Sequence, residues 1–167
     1  MNAQARGELT SSLFSEVLHS SGTLQLRATG ASMLPTLWPG DLLTIQSREF
    51  DEVRVGALVF FSRRGRFFIH RVVRKSVLNG EPVLITRGDC MAEDDPPVCP
   101  AELLGTVSMV DHDGVSFTPA PRLRLPRRVL ARLLCHSDLF RRAALRLHTR
   151  QRVASSGGNL APRKAAL

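Results

Sequence analysis

The first regular pattern of apolar positions along the chain predicts a short amphipathic helix over residues 8–19. The apolar side chains that recur there near helical spacing are Leu9, Leu13, Phe14, Val17 and Leu18. Residues three and four positions apart lie on the same face of a helix, and the Ser-Ser-Gly sequence that follows is a typical helix end. We expect residues 1–22 to form an N-terminal helix that docks on the rest of the protein through these side chains.

Beyond residue 22 the pattern changes to short runs rich in Val, Ile, Leu and Phe, which Gly and Pro separate. The candidate strands are residues 23–29, 42–47, 57–62, 66–74, 82–87, 104–110 and 114–118. Short strands with turn residues at these spacings are typical of all-β domains. The expected fold class is therefore mainly β, with one compact domain over residues 23–119.

Residues 120–167 form a third segment, in which most of the basic residues lie. A proline-punctuated linker comes first, and leucines and Phe140 then fall near a helical stripe among arginines over residues 127–150. The last dozen residues are typical of a frayed terminus. Residues 121–167 hold 12 Arg and Lys and one acid, Asp138, whereas residues 1–120 hold 11 basic and 14 acidic residues, a net charge of −3.

This uneven charge changes what the overall value of +8 implies. Because the body is mildly acidic and the tail has one aromatic residue and no recognition motif, we do not expect a nucleic-acid partner. Arginines beside a stripe of leucines are typical of a helix that lies on an anionic membrane surface. A helix that simply caps the β-domain is the alternative, and the sequence leaves both open.

Targeting signals are missing from the pattern. The longest strongly apolar run, Ala57 to Phe61, is far shorter than the ~20 residues of a membrane-spanning helix, and residues 1–30 lack a basic region followed by an apolar one. The three cysteines, Cys90, Cys99 and Cys135, show no paired spacing that would indicate a disulfide framework or a zinc site. We expect a cytoplasmic protein without a signal peptide or a transmembrane helix, and any membrane association is expected to be peripheral.

Three segments carry candidate chemistry. Ser32 lies two residues after Gly30, in a stretch where Pro35 and a Pro-Gly pair predict sharp turns. Its hydroxyl is therefore a candidate nucleophile, although most serines in such turns only form hydrogen bonds to their own backbone. The glycine is expected to permit a close backbone approach. His70 lies in the second strand of a predicted hairpin, where an imidazole is costly to bury without a partner. The loop after residue 86 contains four acids and is most simply a solvated acidic turn, although one of these acids could instead hold and polarise an imidazole.

Taken together and in order, these segments resemble the type I signal peptidase family. The strings are GASMLPTLWPGD at 30–41, GALVFF at 56–61, IHRVV at 69–73 and TRGD followed four residues later by DD at 86–95. That family shares its β-rich catalytic fold of antiparallel sheets with the SOS-repressor autoproteases. The histidine at position 70 is similar to the branch found in reticulum, archaeal and sporulation signal peptidases, since the housekeeping bacterial branch carries lysine there.

The resemblance implies a serine endopeptidase in which Ser32 is the nucleophile, His70 the general base and Asp95 the supporting acid, with Asp89 in reserve. Lys75 is the only lysine of the body and lies too far along the strand to serve as base. The implied partner is a peptide or protein substrate, with leader or signal peptides as candidates, and no cofactor or metal is expected. Members of that branch are normally anchored by transmembrane helices, and the apolar pattern of this sequence predicts none.

Two other classes of function stay open at this point. One is a regulatory module of the same fold that cleaves itself or does not cleave at all. The other is a silent module that binds peptides in its cleft. A regulatory role is disfavoured because residues 1–25 predict one short helix rather than a helix-turn-helix. Outside the three segments, His112 in the sequence Asp-His-Asp-Gly is expected in a solvated hairpin turn.

Overall fold

One antiparallel sheet organises the protein. The computed structural model describes residues 3–122, 129–131 and 145–146. The strands are β1 (Thr23–Arg27), β2 (Leu42–Gln46), β3 (Leu58–Arg63), β4 (Arg66–Leu78), β5 (Glu81–Arg87), β6 (Leu103–His112) and β7 (Val115–Phe117). They pair in the order β1-β2-β6-β3-β4-β5, and β7 pairs with β6. The predicted mainly β class is confirmed.

Tight turns explain the hairpins. Arg64 and Gly65, Asn79 and Gly80, and Asp113 and Gly114 all have positive φ. Two successive residues with positive φ give a turn whose twist matches that of the flanking strands. The Asn-Gly pair also explains why β4 continues to Leu78, beyond the predicted end at residue 74, because the strand runs on until this turn reverses the chain.

The N-terminal helix α1 (Ala3–Ser21) begins earlier than the apolar pattern over residues 8–19 and docks through only two of its five predicted apolar residues. Leu18 is 2% exposed, and Phe14 packs against the same core. Leu9, Leu13 and Val17, by contrast, are 55%, 51% and 40% exposed. The expectation that all five apolar residues dock on the body is therefore wrong for these three.

Two clusters of buried apolar residues stabilise the sheet. The larger lies under α1 and comprises Leu18, Met33, Leu37, Leu43, Ile45, Leu58, Phe60, Val107 and Val110. The second comprises Val53, Val59, Phe61, Val72, Leu84 and Val98. Phe60 and Phe61 are successive residues of β3 and point to opposite faces, so each cluster takes one of them. Burying one such side chain contributes roughly 1.5–3 kcal/mol.

Much of the third segment lies outside the described residues. The predicted linker is described only as far as residue 122, and of the predicted helix over 127–150 only residues 129–131 and 145–146 are described, which are helical. The predicted frayed terminus also lies outside them. Among the described residues, no helix combines the length and the apolar character that crossing a membrane requires.

Candidate active site

Ser32 lies on a turn that buried apolar side chains anchor from both sides. The carbonyl of Met33 accepts hydrogen bonds from the amides of Thr36 and Leu37 at 2.8 and 3.0 Å, and the Leu34–Pro35 peptide bond is cis. Met33, Leu34 and Leu37 are at most 3% exposed. Its own hydrogen bonds and the packing of these side chains therefore fix the turn, and with it the position of the half-buried Ser32.

The expected close approach at Gly30 is wrong. A Cβ built there meets nothing within 4 Å. Gly88 is the glycine that approaches the serine, because a Cβ on it would lie 2.7 Å from the Ser32 carbonyl oxygen and 3.1 Å from the Ser32 Cβ. A side chain at position 88 would therefore displace either the serine or the loop that faces it.

His70 lies in the middle of β4, directly opposite Val59 of β3. The residue is 5% exposed, and the rings of Phe61 and Phe68 lie 6.2 and 6.0 Å from its ring centre. Because it is enclosed by strands and aromatic rings, the imidazole needs polar partners for both ring nitrogens. The structure supplies one partner on each side.

Ser32, His70 and Asp95 form a continuous hydrogen-bonded chain. The Oγ of Ser32 lies 3.0 Å from Nε2 of His70, and Nδ1 of His70 lies 2.6 Å from Oδ2 of Asp95. An ionised carboxylate can only accept hydrogen bonds, so Nδ1 of His70 carries a proton and donates a hydrogen bond to Asp95. In the neutral imidazole, Nε2 then accepts the hydrogen bond that the serine hydroxyl donates.

The carboxylate of Asp95 is itself fixed by Thr86 at the end of β5. The Thr86 hydroxyl donates to Oδ2 of Asp95 at 2.6 Å, and the Asp95 amide donates to the Thr86 carbonyl at 2.8 Å. Partial burial opposes ionisation, but the hydrogen bonds from His70 and Thr86 and the charges of His70 and Arg63 outweigh it. The pKa of Asp95 consequently lies below its ordinary value of 3.8. The residue is thus an anion at neutral pH.

Arg63 at the end of β3 fastens the segment that follows Asp95. Its guanidinium donates to both carboxylate oxygens of Glu102 at 2.7 Å, and to the carbonyls of Pro96 and Pro97 at 3.0 and 2.7 Å. The hydrogen bond to Glu102 raises the pKa of Arg63, and the same bond lowers the pKa of Glu102. This fork of hydrogen bonds holds the end of the acidic loop against the sheet.

Asp89, the acid held in reserve, does not contact His70. Arg71 donates to its two oxygens at 2.8 and 2.7 Å, and the Thr36 hydroxyl donates to Oδ2. The side chains of Arg71 and Asp89 are 12% and 4% exposed. Arg71 also donates to the carbonyls of Gly56 and Ala120. This buried pair joins β4, the acidic loop and the serine turn.

Sequence reasoning missed the parts played by Arg71, Arg63 and Thr36. The one available signal was a charged residue inside an apolar strand, since Arg71 directly follows His70 between otherwise apolar neighbours. A buried arginine requires an acid partner. No local pattern, however, indicates which of the four loop acids that partner is.

Two further histidine and lysine predictions have clear outcomes. Lys75 is exposed and donates to the carbonyl of Asp51 at 2.8 Å, so its ammonium group is not part of the Ser32 network. The predicted hairpin turn lies at Asp113 and Gly114, and the side chain of His112 beside it is 34% exposed. The histidine also has a buried partner that the sequence did not indicate, because its Nδ1 lies 2.7 Å from Oδ1 of Asp41, which is 0% exposed. This contact joins the end of β6 to the loop between β1 and β2.

A cleft of about 450 Å³ opens on Ser32 and His70. Its walls come from the end of β1 and the residues after it, from Phe67 to His70 of β4, and from Phe14 of α1. The lining is mostly apolar, and its residues with polar side chains are Arg27, Thr29, Ser32 and His70. Among the described residues, no cluster of three or more His, Cys, Asp and Glu side chains could hold a metal ion.

Comparisons with known proteins give a partial match to a signal peptidase subunit. No family model matches the chain, and no solved structure does. The signal peptidase complex catalytic subunit SEC11 of Chaetomium globosum is 37% identical over 67 residues, which is 38% of this chain and 39% of that protein. The matched region thus spans about two fifths of the relative's length. A weak, signal-peptidase-like relationship is what this similarity supports, and it suggests a peptidase.

Proposed function

We propose that the protein is a serine endopeptidase that resembles signal peptidase and cleaves peptide bonds with Ser32, His70 and Asp95. The observation that carries the proposal is the hydrogen-bonded chain of these three side chains at the mouth of an apolar cleft. A serine, a base and a group that orients the base are the minimum for nucleophilic attack on a carbonyl carbon. The partial similarity to SEC11 points to the same class.

The first half of the reaction forms an acyl-enzyme. Ser32 Oγ attacks the carbonyl carbon of the scissile bond while its proton passes to Nε2 of His70. Asp95 stabilises the imidazolium that results and keeps its orientation. Backbone amides at Ser32 and nearby on the turn stabilise the negative oxygen of the tetrahedral intermediate. When the carbon–nitrogen bond breaks, Nε2 returns the proton to the leaving amine.

The second half releases the other product. Nε2, now without the extra proton, removes a proton from a water molecule as the water oxygen attacks the acyl carbon. The carbon–oxygen bond to Ser32 then breaks and the hydroxyl regains the proton. Each half of the reaction begins with a neutral His70, and an ionised Asp95 is needed throughout. The low pKa of Asp95 meets the second need at neutral pH.

The substrate that suits this cleft is an extended peptide segment. β1 pairs with β2 on one side, and within the described sheet its other edge has no strand partner. Residues that follow β1 and residues of β4 face each other across the cleft. A peptide that adds to such an edge places alternate side chains in the apolar lining. Leader or signal peptides, which carry apolar segments, are the candidate substrates.

Two measurements test the proposal. Mass spectrometry of new N-termini should show peptides cut by the wild-type protein and not by Ser32→Ala. A reagent that acylates active serines should label Ser32 and lose that labelling in His70→Ala. Ser12→Ala is a matched control, because that serine lies on α1 and donates to a helical carbonyl. Equal cleavage by wild type and Ser32→Ala would overturn the proposed role of Ser32, and no cleavage by either protein would leave a peptide-binding module.

A further inference from the structure

Helix α1 supplies part of the wall of the cleft. The ring of Phe14 lies 5.7 Å from the ring of Phe60 and 5.1 Å from that of Phe67, centre to centre. Phe60 and Phe67 are themselves stacked at 5.7 Å. All three rings line the space that opens on Ser32 and His70. A residue outside the β-domain therefore helps to define the space that a substrate would enter.

The ring of Phe14 is only partly buried, in contrast to Phe60, which is 2% exposed. One side of the ring packs against the aromatic cluster, and the ring also borders the open space of the cleft. Three rings in mutual contact leave little freedom for any of them to turn aside. Phe14 thus acts as a fixed boundary of the cleft.

The depth at which α1 lies on the sheet is set by a contact between two glycines. A Cβ at Gly7 would lie 2.0 Å from the carbonyl oxygen of Gly65, in the turn between β3 and β4. Any side chain at position 7 must therefore lift this end of the helix away from the hairpin. Because Phe14 lies two turns further along the same helix, the glycine contact also fixes the position of the ring.

We propose that Phe14 is a specificity-determining residue, whose ring limits the size of the substrate side chain that the cleft accepts beside Ser32. This inference rests on the proposed peptidase function. A side chain that needs the space of the ring is excluded, because the ring cannot move without disrupting its contacts with Phe60 and Phe67. The N-terminal helix is then a selectivity element and more than a structural cap.

The test compares cleavage profiles of helix variants. Wild type, Phe14→Ala, Phe14→Leu and Gly7→Ala are each incubated with a mixture of synthetic peptides that differ in size at each position before the cut bond. Leu13→Ala is the matched control, because Leu13 is the adjacent residue on α1 and is 51% exposed. Products are identified by mass spectrometry, and kcat/KM is measured for matched pairs of peptides. Thermal unfolding shows whether each variant is folded.

At one substrate position, Phe14→Ala should raise kcat/KM for peptides with Leu or Phe relative to those with Ala by about tenfold or more. Phe14→Leu and Gly7→Ala should shift the ratio in the same direction by less, and Leu13→Ala should leave it unchanged. Where Phe14→Ala does not fold, Phe14→Leu decides. Unchanged profiles for the folded Phe14 variants, with an active wild type, would overturn this inference alone. A wild type that cuts no peptide would overturn the proposed function, and this inference with it.

Discussion

The amide of Cys90 donates a hydrogen bond of 2.8 Å to the carbonyl oxygen of Ser32. Cys90 belongs to the acidic loop, and Asp95 at the far end of that loop holds His70. The same loop therefore fixes the backbone of the candidate nucleophile and the imidazole of the candidate base. Their separation of 3.0 Å depends on the path of the loop as much as on the turn or the strand.

The contact between Gly88 and Ser32 gives the first prediction. Gly88→Ala should reduce kcat/KM about 100-fold, because a methyl group 2.7 Å from the Ser32 carbonyl oxygen must push the two segments apart. Peptide cleavage and thermal unfolding should be measured together. Gly30→Ala serves as a folding control, since a methyl group there meets open space. Wild-type cleavage rates in a folded Gly88→Ala protein would show that the serine tolerates the displacement.

Ser32 and His70 should act as one unit in catalysis. Each single alanine variant removes the same proton transfer, so the double variant Ser32→Ala/His70→Ala should be little slower than either single one. The measurement is kcat/KM for all four proteins on one peptide. If the two losses multiplied instead, the two side chains would contribute independently, and the hydrogen bond between them would not be part of the mechanism.

The Arg71–Asp89 pair should matter for stability far more than the exposed ion pair nearby. Asp89→Ala leaves Arg71 buried and uncompensated, and loss of one partner of such a pair costs about 3–5 kcal/mol. Asp94→Ala is the matched control from the same loop. Its partners Arg74 and Arg87 are 60% and 43% exposed, and exposed pairs contribute about 0–1 kcal/mol. Denaturant unfolding of both variants checks the difference, and equal losses would contradict the structural role of Asp89.

The low pKa of Asp95 predicts a contribution to stability that acid removes. Because its pKa is lower in the folded than in the unfolded protein, the unfolded chain binds more protons as the pH falls. The contribution is complete above the unfolded value, about 3.9, and is lost as the pH falls through the lower, folded value. Between about pH 5 and pH 2, the free energy of unfolding should fall less steeply in Asp95→Asn than in wild type.

Equilibrium unfolding at a series of pH values measures this effect. Glu81→Gln, which changes an exposed carboxyl group, is the control, and its slope should stay close to that of wild type. A wild-type slope in Asp95→Asn would mean that the hydrogen bonds from His70 and Thr86 do not favour the ionised carboxylate in solution.

Sequence patterns predicted the sheet well, because turns and strands are local. Pairs such as Asp113 and Gly114 mark the reversals, and the apolar runs between them become the strands. The end of β4 was missed because the turn at Asn79 and Gly80 was not among the predicted ones. The residues of the candidate site came from ordered motifs, and the structure brings Ser32, His70 and Asp95 within hydrogen-bond distance.

The parts that sequence reasoning missed depend on distant contacts. Helix α1 carries two adjacent apolar stripes, one with Leu13 and one with Phe14, and periodicity alone cannot show which of them docks. The approach of Gly7 to Gly65 selects the stripe with Phe14. The pairing of the loop acids is also a matter of distant contacts. Arg71 pairs with Asp89 and His70 with Asp95 because of the way in which the acidic loop packs against β4.

The last prediction is that the basic tail binds anionic membrane surfaces. With a net charge of +11 on residues 121–167, and on the order of 1 kcal/mol per basic residue near such a surface, several arginines suffice for reversible binding. The full chain should sediment with vesicles that contain anionic lipid and not with neutral vesicles. A chain ending at Arg122 should lose this binding. Binding should also weaken as added salt shortens the screening length from about 10 Å at 0.1 M.

The point of truncation follows from contacts of the described residues. Arg71 donates to the Ala120 carbonyl at 2.8 Å, so a chain cut before residue 120 would lose part of the body itself. Leu145 packs against the cluster of Leu34 and Cys90, which favours a second role of the tail as a cap. Leu145→Ala separates the two roles, because it removes the contact with the body and leaves the charge of the tail unchanged. If the tail is a cap, this variant should have a lower melting temperature. If the tail binds membranes through its charge, the variant should still bind vesicles about as well as the full chain. The cap would be the sole role of the tail if the full and truncated chains sedimented equally with vesicles and if both the truncation and Leu145→Ala lowered the melting temperature.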